Sequence, residues 1–561
     1  MIPWYAVPEG SRSNRSRDYT LGTMSPDSTP TPARDRSYIT TPIYYVNDRP
    51  HIGHAYTTTL CDVWARAMRS LGSDVFFLTG TDEHGVKVEK SARERGIAPQ
   101  ALADENAAEF ERVLQVFGLT NDDFIRTTQQ RHVTRVQNLV RHLRDRDAVY
   151  LGEFEGWYDE GQEEYVTENR ARETDYKSPI SGRPLVKATE KNYYFRLSAF
   201  QDRLESLFES NPDFVRPSAR RNEVLGRLRE GLQDVPITRT NFSWGIPFPD
   251  DEEHVIYVWI DALMNYATAL GFGDDPTGDV EERRNFWPAD FHVIGKEILW
   301  FHAVIWPAIL LALDMPMPRC VYAHSFWISE GQKMSKSLGN FIDLPTIERY
   351  VEVYGLDAWR WYMVNNGPLG ATDADFQATG FHETYTTDLV NTVGNCASRT
   401  TAMLAKYFEG VVPADTGFDF PGWDLAGAAG DAVASWRAAM ADFALDDACD
   451  AGIGLLRTVD AFINATEPFK IAKDEARHDE LASILARCVE AVRIASVLLW
   501  PVIPGRMETL WPALGCDIDP GRGDLDRVAT WGGTLEGVRT EKIALFPRID
   551  PASTPAADAA P

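Results

Sequence analysis

The sequence predicts an α/β protein: a parallel sheet interrupted by an insertion and followed by an all-α bundle. Short apolar runs alternate with helical periodicity over residues 37–120 and again over 236–324, as in strands joined by crossover helices. The segment between them, 121–235, is dense in charge and has its own helical and strand-rich patterns, so we expect an insertion. From 386 to 545 the periodicity is helical throughout, which predicts the bundle.

Composition and charge limit the classes of protein to which this chain can belong. Its 561 residues, 44% hydrophobic and 25% charged, are typical of three or four soluble globular domains. No apolar run is long enough to span a membrane. The six cysteines are scattered without a CxxC pair, which predicts a reducing, cytoplasmic location and no thiolate metal site. Because the net charge is −27, any contact with a polyanion must depend on local basic patches.

The first 36 residues, rich in Ser, Pro, Arg and Thr, are predicted to be a disordered extension. They lack the apolar core of a secretory signal. Their Arg/Ser bias faintly suggests an organelle transit peptide, but Glu9, Asp18 and Asp27 count against one. Met24 is an equally plausible start of translation.

The first apolar run of the sheet, 38–45, leads through a turn into a helix that carries two histidines at its start. Pro50 suits the first helical position, and His51 and His54 follow it one turn apart. Free N–H groups and the helix dipole make such a helix start an anion site, and Gly53 lets the backbone approach a flat ring. The alternative is a pair of surface histidines.

Two further polar segments are candidates for a ligand site. The buried strand 74–78 ends in the polar cluster 79–85, at the end of a strand where parallel sheets bind ligands; the alternative is an ordinary turn. The Gly- and Ser-rich loop 329–340 carries Lys333 and Lys336, mobile charges suited to a phosphate, although such a pair is usually solvated surface.

The remaining patterns concern the insertion and the second half of the sheet. The five arginines of 216–229 can contact a nucleic-acid backbone or form a solvated helix face. Residues 255–259 and 291–294 are predicted strands, and 296–313 is predicted as a helix that Pro307 kinks or breaks.

Two motifs, HIGH at 51–54 and KMSKS at 333–337, flank the interrupted sheet, and a helical bundle follows them. In this order they resemble the signature of the class I aminoacyl-tRNA synthetases. Further stretches are similar to the methionyl-tRNA synthetase family within that class: PIYYVND (42–48), TGTDEHG (79–85), YVWIDAL (257–263), VIGKEILWFH (293–302) and NCASR (395–399). The resemblance covers about 37–545.

The resemblance implies a methionine–tRNA ligase that uses ATP with Mg²⁺ to form methionyl-adenylate and then charges tRNA(Met). It implies a Rossmann-like catalytic domain in two halves (37–120 and 236–324), a connective insertion (121–235), a KMSKS-loop and stem-contact region (325–385) and an anticodon-binding domain (386–545). The Ala/Pro-rich composition after the bundle separately predicts a disordered tail (546–561). A monomer is expected, because the chain ends soon after the bundle, without the appended domain that dimerises some relatives.

The resemblance also implies roles for individual residues. The catalytic residues are His51, His54, Lys333 and Lys336; the ATP site adds Gly53, Ser335 and Glu297, the last where the family usually has Asp. Asp82 holds the methionine ammonium group, and the thioether is surrounded by Ile43, Tyr45, Trp259, Leu263, Tyr266, Ile298 and His302. The anticodon residues are Asn395, Arg399 and Phe469.

The residue types fit this chemistry. Aromatic rings and Ile give a thioether a polarizable apolar wall. The α-carboxylate is already ionised and needs no general base, so positioning and cations are enough. Since shape discriminates one methylene by only roughly 1–3 kcal/mol, polar contacts from Tyr45 and His302 near the sulfur are expected to add to it.

Two departures from the family pattern matter. Asp159, Gln162, Ser178 and Ser181 stand where many members carry the cysteines of a zinc knuckle, and they are poor zinc ligands, so we expect the knuckle shape without metal. Phe469 stands where the family usually has Trp stacking on an anticodon base; the alternative for Phe469 is a core aromatic.

Features of the sequence count against two other functions. Another class I synthetase, such as the cysteine enzyme, typically selects its substrate with a thiolate-bound zinc, and this chain has no suitable cysteine set. A non-catalytic tRNA-binding relative is disfavoured by the intact HIGH and KMSKS motifs. The 121–235 insertion is also too short for the editing domain of the isoleucine, leucine and valine enzymes.

Overall fold

The central sheet of the computed structural model is parallel, as the sequence predicts. The structure describes residues 36–555 apart from 47–48, 160–163, 167, 179–181, 276–277, 335–339 and 533–534. Among these residues, seven strands form the sheet: β1 (Arg36–Thr40), β2 (Tyr44–Tyr45), β3 (Asp74–Asp82), β4 (Asp123–Arg126), β8 (Val215–Arg216), β13 (Phe291–Gly295) and β14 (Cys320–His324).

The strand order creates a place for a ligand at the carboxyl ends of the strands. Leu78 pairs with both Thr40 and Asp123, so β1 and β4 lie on opposite edges of β3. The order is β4–β3–β1–β13–β14–β8, with β2 also paired to the end of β3. Chain order reverses between β1 and β13, and open α/β sheets bind ligands beyond the carboxyl ends of strands at such a point.

Helices cover both faces of the sheet because neighbouring residues of each strand point to opposite sides. Ile39 and Phe77 pack into the core shared with the bundle, whereas Tyr38 and Phe76 pack into the core on the other face. The helices around the sheet are α1 (Ile52–Ser70), α2 (Val86–Arg95), α3 (Pro99–Val116), α4 (Gln130–Asp145), α7 (Ser218–Leu228), α8 (Val258–Leu263), α9 (Asn265–Thr268), α10 (Asp279–Arg284), α11 (Trp306–Ala312), α12 (Leu344–Tyr354) and α13 (Leu356–Asn366).

Three local predictions in this part need correction. Helix α1 is capped by His51, so Pro50 precedes the cap and is not the first helical residue. The predicted strand 255–259 ends at Ile256, whose partner Thr238 begins the short strand beside it, and α8 then starts at Val258. The predicted helix 296–313 is a 3₁₀ turn (Lys296–Ile298), a π-helix (Phe301–Ile305) and α11, with Pro307 in the first turn of α11.

Two small antiparallel sheets lie between β4 and β13: one falls within the insertion apart from Pro236, and the other, at 238–256, lies beyond the predicted boundary at 235. One has the order β6–β5–β7–β9 and the other β10–β12–β11. Their elements are β5 (Val149–Asp159), β6 (Glu164–Val166), β7 (Val186–Phe195), β9 (Val235–Pro236), β10 (Thr238–Arg239), β11 (Pro247–Phe248), β12 (Asp251–Ile256), a 3₁₀ turn (Leu197–Phe200), α5 (Glu168–Glu173) and α6 (Gln201–Ser210). Strands β4 and β8 fall within 121–235 but pair with the central sheet.

The predicted bundle is present, and the predicted disordered tail is wrong for the residues of it that the structure describes. The remaining elements are β15 (Trp327–Ser329), β16 (Ala374–Phe376), α14 (Ala378–Thr384), a π-helix (Tyr385–Gly394), α15 (Asn395–Tyr407), α16 (Leu425–Ala441), α17 (Leu445–Thr466), α18 (Pro468–Ile471), α19 (His478–Leu499), α20 (Pro504–Ala513), α21 (Leu525–Val528) and 3₁₀ turns at Glu475–Arg477, Pro520–Arg522 and Pro551–Ser553. Disorder is wrong for 546–555: Phe546 is buried, and Tyr350 donates a hydrogen bond to the Pro555 carbonyl at 2.9 Å. Residues 556–561 lie outside the described part.

Candidate active site and tRNA-binding surface

His51 and His54 together build the start of helix α1. Nδ1 of His51 accepts a hydrogen bond from the Gly53 N–H at 3.1 Å, and Nδ1 of His54 accepts one from the His51 N–H at 3.2 Å. Each Nδ1 is thus an acceptor, which leaves the ring proton on Nε2. Burial, and then the neighbouring His51, lower the pKa of His54 well below its ordinary value, so its ring is neutral.

Glycine is required between the two histidines. A Cβ on Gly53 would lie 2.9 Å from Cε1 of His51, closer than side chains normally approach. The Gly53 N–H and the two rings can therefore lie at one end of the helix only because this residue has no side chain. The result is a pair of ring N–H groups beside the half-buried backbone of Gly53.

The segment after the second motif lies against the first motif. The Ile52 N–H donates to the Ile342 carbonyl at 3.0 Å, and the rings of His51 and Phe341 lie 5.3 Å apart. Lys333 is exposed, and its carbonyl accepts a hydrogen bond from the Asn340 amide at 3.2 Å. The base of the loop is thus close to the two histidines, although Ser335 and Lys336 lie outside the described residues.

Asp82, at the end of β3, has a carboxyl group with one oxygen that lacks a partner. Its Oδ1 atom is buried and has no hydrogen-bond partner. Burial, and then the charges of Asp261 and Glu83, raise the pKa of Asp82 well above its ordinary value. A buried carboxylate without a partner is costly, so this site favours the arrival of a cation. Tyr45 of β2 pairs directly with Asp82 across the sheet.

Most of the residues expected around the thioether belong to one hydrophobic core. Leu263 and Tyr266 are buried in one hydrophobic core, and the half-buried Ile43 and Ile298 pack against it. Trp259 stacks on Phe301 at 3.9 Å, with the rings 8° from parallel. The half-buried members leave apolar surface accessible, as a small-molecule pocket needs.

His302 forms the buried floor of this pocket with Tyr266 but has no spare N–H. Its Nδ1 donates to the Ile298 carbonyl at 3.0 Å, so its Nε2 accepts from the Tyr266 hydroxyl at 2.7 Å. Burial lowers the pKa of His302 to about 4, and the ring is neutral near pH 7. The expected polar contact from His302 to the sulfur is therefore wrong for this geometry, since both nitrogens are engaged.

Glu297 follows β13 and bends back over the strand end. A Cβ on Gly295 would lie 2.3 Å from Oε2 of Glu297, so this conformation depends on the glycine. The side chain of Glu297 is exposed and lies at the switch point of the sheet. Its carboxylate is therefore available to a ligand there.

The basic segment 216–229 is largely used within the protein. Arg216 forms a 2.8 Å ion pair with Asp442 of the bundle, and Arg220 donates to the Ala371 carbonyl at 2.9 Å. Arg221 donates to the Phe208 carbonyl at 2.7 Å, and Arg227 lies over the Trp300 ring at 3.9 Å. Intramolecular contacts therefore account for most of this charge.

Two of the three expected anticodon residues, Arg399 and Phe469, lie near the end of helix α17. Arg399 donates to Asn464 at 3.0 Å, near the end of α17, and pairs with Asp460 at 3.1 Å. Phe469 lies in α18, the short helix that follows α17, and is 46% exposed. This exposure excludes the alternative that Phe469 is a core aromatic. Asn395 is exposed at the first position of α15.

Backbone hydrogen bonds hold the turn at the second half of the knuckle-like segment. The Ser178 N–H donates to the Arg183 carbonyl at 2.8 Å, and the Gly182 N–H donates to the Ser178 carbonyl at 2.9 Å. Ser178 is buried, whereas Gln162 and Ser181 lie outside the described residues. Within the described part of the chain, no group of three or more His, Cys, Asp or Glu could hold a metal ion. Helices in that part are also too short or too polar to cross a membrane.

The sequence did not predict a buried cluster formed by His84, His132 and Asp261. His84 and His132 both contact the carboxylate of Asp261, at 2.6 and 2.7 Å. His84 and Asp261 stand within TGTDEHG and YVWIDAL, the segments that carry Asp82 and Trp259. The sequence does show a histidine and an aspartate, His84 and Asp261, in two segments that also carry expected site residues. Nothing in the sequence indicates that either of them contacts His132.

Comparison with known proteins gives a consistent picture. A family model described as tRNA synthetases class I (M) matches residues 37–174 and 169–401. A methionine–tRNA ligase of Streptomyces coelicolor is 41% identical over 534 residues, covering 91% of this chain and 96% of that protein. One of Halalkalibacterium halodurans is 40% identical over 529 residues, covering 91% and 78%.

Solved structures are similar as well. A structure of Mycobacterium tuberculosis methionyl-tRNA synthetase in complex with methionyl-adenylate has a TM-score of 0.82 at 34% identity, covering 91% of this chain and all of that one. The apo form of the Mycobacterium tuberculosis enzyme has a TM-score of 0.78 at 32% identity, covering 92% of this chain and 98% of the other.

Proposed function

Because the chain belongs to the methionine–tRNA ligases of the class I tRNA synthetases, we propose which of its residues carry out each part of that reaction. The enzyme activates methionine with ATP to methionyl-adenylate and then transfers methionine to tRNA. The proposal concerns the residues that bind methionine, hold the phosphates and contact the tRNA.

Methionine binds with its ammonium group on Asp82 and its side chain in the adjoining aromatic pocket. The single observation that carries this assignment is the buried, unpartnered Oδ1 of Asp82. An ammonium group supplies the missing donor and favours the ionised carboxylate. The thioether then meets Ile43, Leu263, Tyr266, Ile298 and Trp259, with the Tyr45 hydroxyl as the polar group near the sulfur, because His302 has both nitrogens engaged.

The phosphates of ATP bind where the two motifs meet. The Nε2–H groups of His51 and His54 donate to phosphate oxygens, and Gly53 leaves room for the adenine ring. Glu297 contacts the ribose from the end of β13. Lys333 and Lys336 of the KMSKS motif neutralise phosphate charge, and Ser335 of the same motif is a further ATP contact. Mg²⁺ enters with ATP as a counterion of its phosphates.

Adenylation needs positioning and charge rather than a base. An oxygen of the ionised α-carboxylate of methionine attacks the α-phosphorus in line. The new bond joins that oxygen to phosphorus, and the bond from the α-phosphorus to the pyrophosphate oxygen breaks. Charge that grows on the α-phosphate oxygens and on the leaving pyrophosphate is met by the imidazole N–H groups and the lysines. The neutral state of His54 suits this role, because it donates a proton in a hydrogen bond without giving it up.

The tRNA is read by the bundle. Phe469 stacks on an anticodon base, and Asn395 and Arg399 bond to base edges nearby. We propose the ranges 37–120 and 236–324 as the catalytic domain, 121–235 as a metal-free connective insertion, 325–385 as the loop and stem-contact region, and 386–545 as the anticodon-binding domain. The protein is proposed to act as a monomer in the cytoplasm, where its six unpaired cysteines stay reduced.

Methionine-dependent ATP–pyrophosphate exchange tests the assignment. Exchange should require methionine and should not occur with leucine at comparable concentration. Asp82→Ala should raise the KM for methionine far more than the KM for ATP. Absence of exchange with methionine, or equal exchange with leucine, contradicts the proposed function, and an unchanged KM in Asp82→Ala contradicts the proposed site.

A further inference from the structure

Behind the proposed methionine site, one buried carboxylate joins three parts of the chain. Oδ2 of Asp261 lies 2.6 Å from Nδ1 of His84, and Oδ1 lies 2.7 Å from Nε2 of His132. His132 continues the chain through its Nδ1, 2.7 Å from the Thr268 hydroxyl. Asp261, His132 and Thr268 are fully buried, and His84 is nearly so.

Three members of this cluster, His84, Asp261 and Thr268, stand on or next to elements that carry proposed methionine contacts, and the fourth is His132 of α4. His84 is two residues after Asp82, at the end of β3. Asp261 is on α8 between Trp259 and Leu263. Thr268 is on α9, two residues after Tyr266. The hydrogen bonds therefore connect the ammonium end of the site to its side-chain wall, with His132 of α4 as the anchor.

The carboxylate is charged, and its hydrogen bonds fix direction as well as distance. Burial alone would raise the pKa of Asp261, but the two histidine rings bring it below its ordinary value. An ionised carboxylate only accepts, so both ring nitrogens donate to it. Apolar packing of the same volume is often as stable as a buried ionic network, so stability alone does not account for this cluster; what it adds is a fixed geometry between its members.

We propose that Asp261, held between His84 and His132, is a positioning residue for methionine: it sets the separation between the Asp82 carboxylate and the aromatic wall on α8 and α9. Its own charge also adds to the negative potential that attracts the substrate ammonium group toward Asp82. This inference rests on the proposed methionine site. Asp261 itself is behind the pocket and acts through its neighbours.

Matched variants separate the hydrogen bond from mere volume. His84→Asn and His132→Gln each keep an N–H at the place of the ring nitrogen that contacts Asp261, whereas His84→Ala and His132→Ala remove it. Asp261→Asn keeps the shape and removes the charge. His254→Gln is the control, because His254 is a buried histidine of β12 that pairs with Asp251 at 3.2 Å and is bonded to the Lys191 carbonyl, away from this cluster.

The measurements are the KM values for methionine and ATP in pyrophosphate exchange, the ratio of kcat/KM for methionine over norleucine, and the melting temperature. His84→Ala, His132→Ala and Asp261→Asn should raise the KM for methionine about tenfold and change the KM for ATP little, as expected for a lost charged hydrogen bond. The methionine-to-norleucine ratio should fall, since the wall is no longer held against the sulfur. His84→Asn and His132→Gln should stay within about threefold of wild type.

A purely structural role gives a different result. It lowers the melting temperature while leaving the KM for methionine and the norleucine ratio of the folded enzyme unchanged, and that outcome overturns the proposal. Equal impairment of the Ala and the Asn or Gln variants also overturns it. If a variant melts below the assay temperature, the remaining histidine supplies the same test. Should Asp82→Ala also leave the KM for methionine unchanged, the methionine site itself is wrong, and not only this inference.

Discussion

The imidazole rings of His51 and His54 lie 3.9 Å apart, centroid to centroid, and each has its Nδ1 committed to the start of helix α1. The same two rings thus form a helix cap and leave their Nε2–H groups for a ligand. Capping and phosphate binding use different nitrogens of one ring, so the two functions can be separated by substitution.

His54→Asn should lose catalysis without losing the cap. The Asn oxygen can replace Nδ1 as acceptor of the His51 N–H, but it offers no donor at the position of Nε2. We expect the rate of pyrophosphate exchange to fall about 100-fold, the usual effect of removing one such donor, with the melting temperature unchanged. His54→Ala should lose both. Retention of the wild-type rate in His54→Asn would show that its Nε2–H does not contact the phosphates.

Lys333→Ala should slow adenylation by about 100-fold or more and leave methionine affinity nearly unchanged. Lys333 is exposed on the loop whose base packs on His51, and no proposed methionine contact depends on it. Single-turnover formation of methionyl-adenylate gives the rate, and equilibrium dialysis with methionine gives the affinity. Lys473→Ala, an exposed lysine of the bundle, is the control. A large loss of methionine binding in Lys333→Ala would contradict the role assigned to it.

Phe469→Ala should weaken tRNA charging and spare adenylation. Loss of one stacked base costs about 1–3 kcal/mol, so kcat/KM for tRNA should fall by about 10- to 100-fold. Pyrophosphate exchange, which needs no anticodon, should be unchanged. Phe418→Ala is a matched control because Phe418 is also an exposed aromatic of the bundle, at 41%. Phe469→Trp should charge tRNA at least as well as wild type.

The sequence was sufficient for those features that depend on local pattern. The parallel sheet, the helix that starts at the two histidines and the helical bundle follow from apolar periodicity, and each is present. The exposure of Phe469 was left open, and the structure decides it.

Features that depend on distant partners could not be predicted in this way. Residues 257–259 have the composition of a strand, but β12 ends at Ile256, Tyr257 caps a helix, and that helix starts at Val258. The residue type of His302 suggests a contact to the sulfur, but hydrogen bonds to the Tyr266 hydroxyl and the Ile298 carbonyl occupy both of its ring nitrogens. Disorder was expected for 546–555 from composition, and the contacts of Tyr350 and Tyr354 to residues 554 and 555 overrule it.

Purified enzyme should contain far less than one zinc per chain, and a chelator should not lower its melting temperature. Ser178 is buried in a turn that backbone hydrogen bonds already close, and serine is a poor zinc ligand. Elemental analysis after metal-free purification provides the measurement. The combined variant Asp159→Cys, Gln162→Cys, Ser178→Cys and Ser181→Cys should gain zinc and melt higher in its presence. Stoichiometric zinc in the wild-type enzyme would contradict the metal-free insertion.

His324 should make the enzyme less stable as the pH falls below about 6.5. Its Nδ1 donates to the Ser325 carbonyl at 2.8 Å and its Nε2 accepts from the Thr57 hydroxyl at 2.7 Å, so the folded state holds the ring neutral. Burial lowers its pKa to about 4. Between pH 6.5 and 4 the unfolded chain therefore binds a proton that the folded chain does not, which removes up to about 3 kcal/mol of unfolding free energy.

His324→Gln removes this effect, since Gln keeps an acceptor for Thr57 and does not titrate. The variant should melt below wild type at pH 7.5, because its packing is poorer, and the gap should narrow steadily as the pH is lowered to 4.5. Val321→Ala, a cavity in the same strand without a titrating group, should keep a constant gap over that range. Melting temperatures at one-unit pH intervals decide the question: a gap for His324→Gln that stays constant or widens toward acid would show that His324 is not held neutral by the fold.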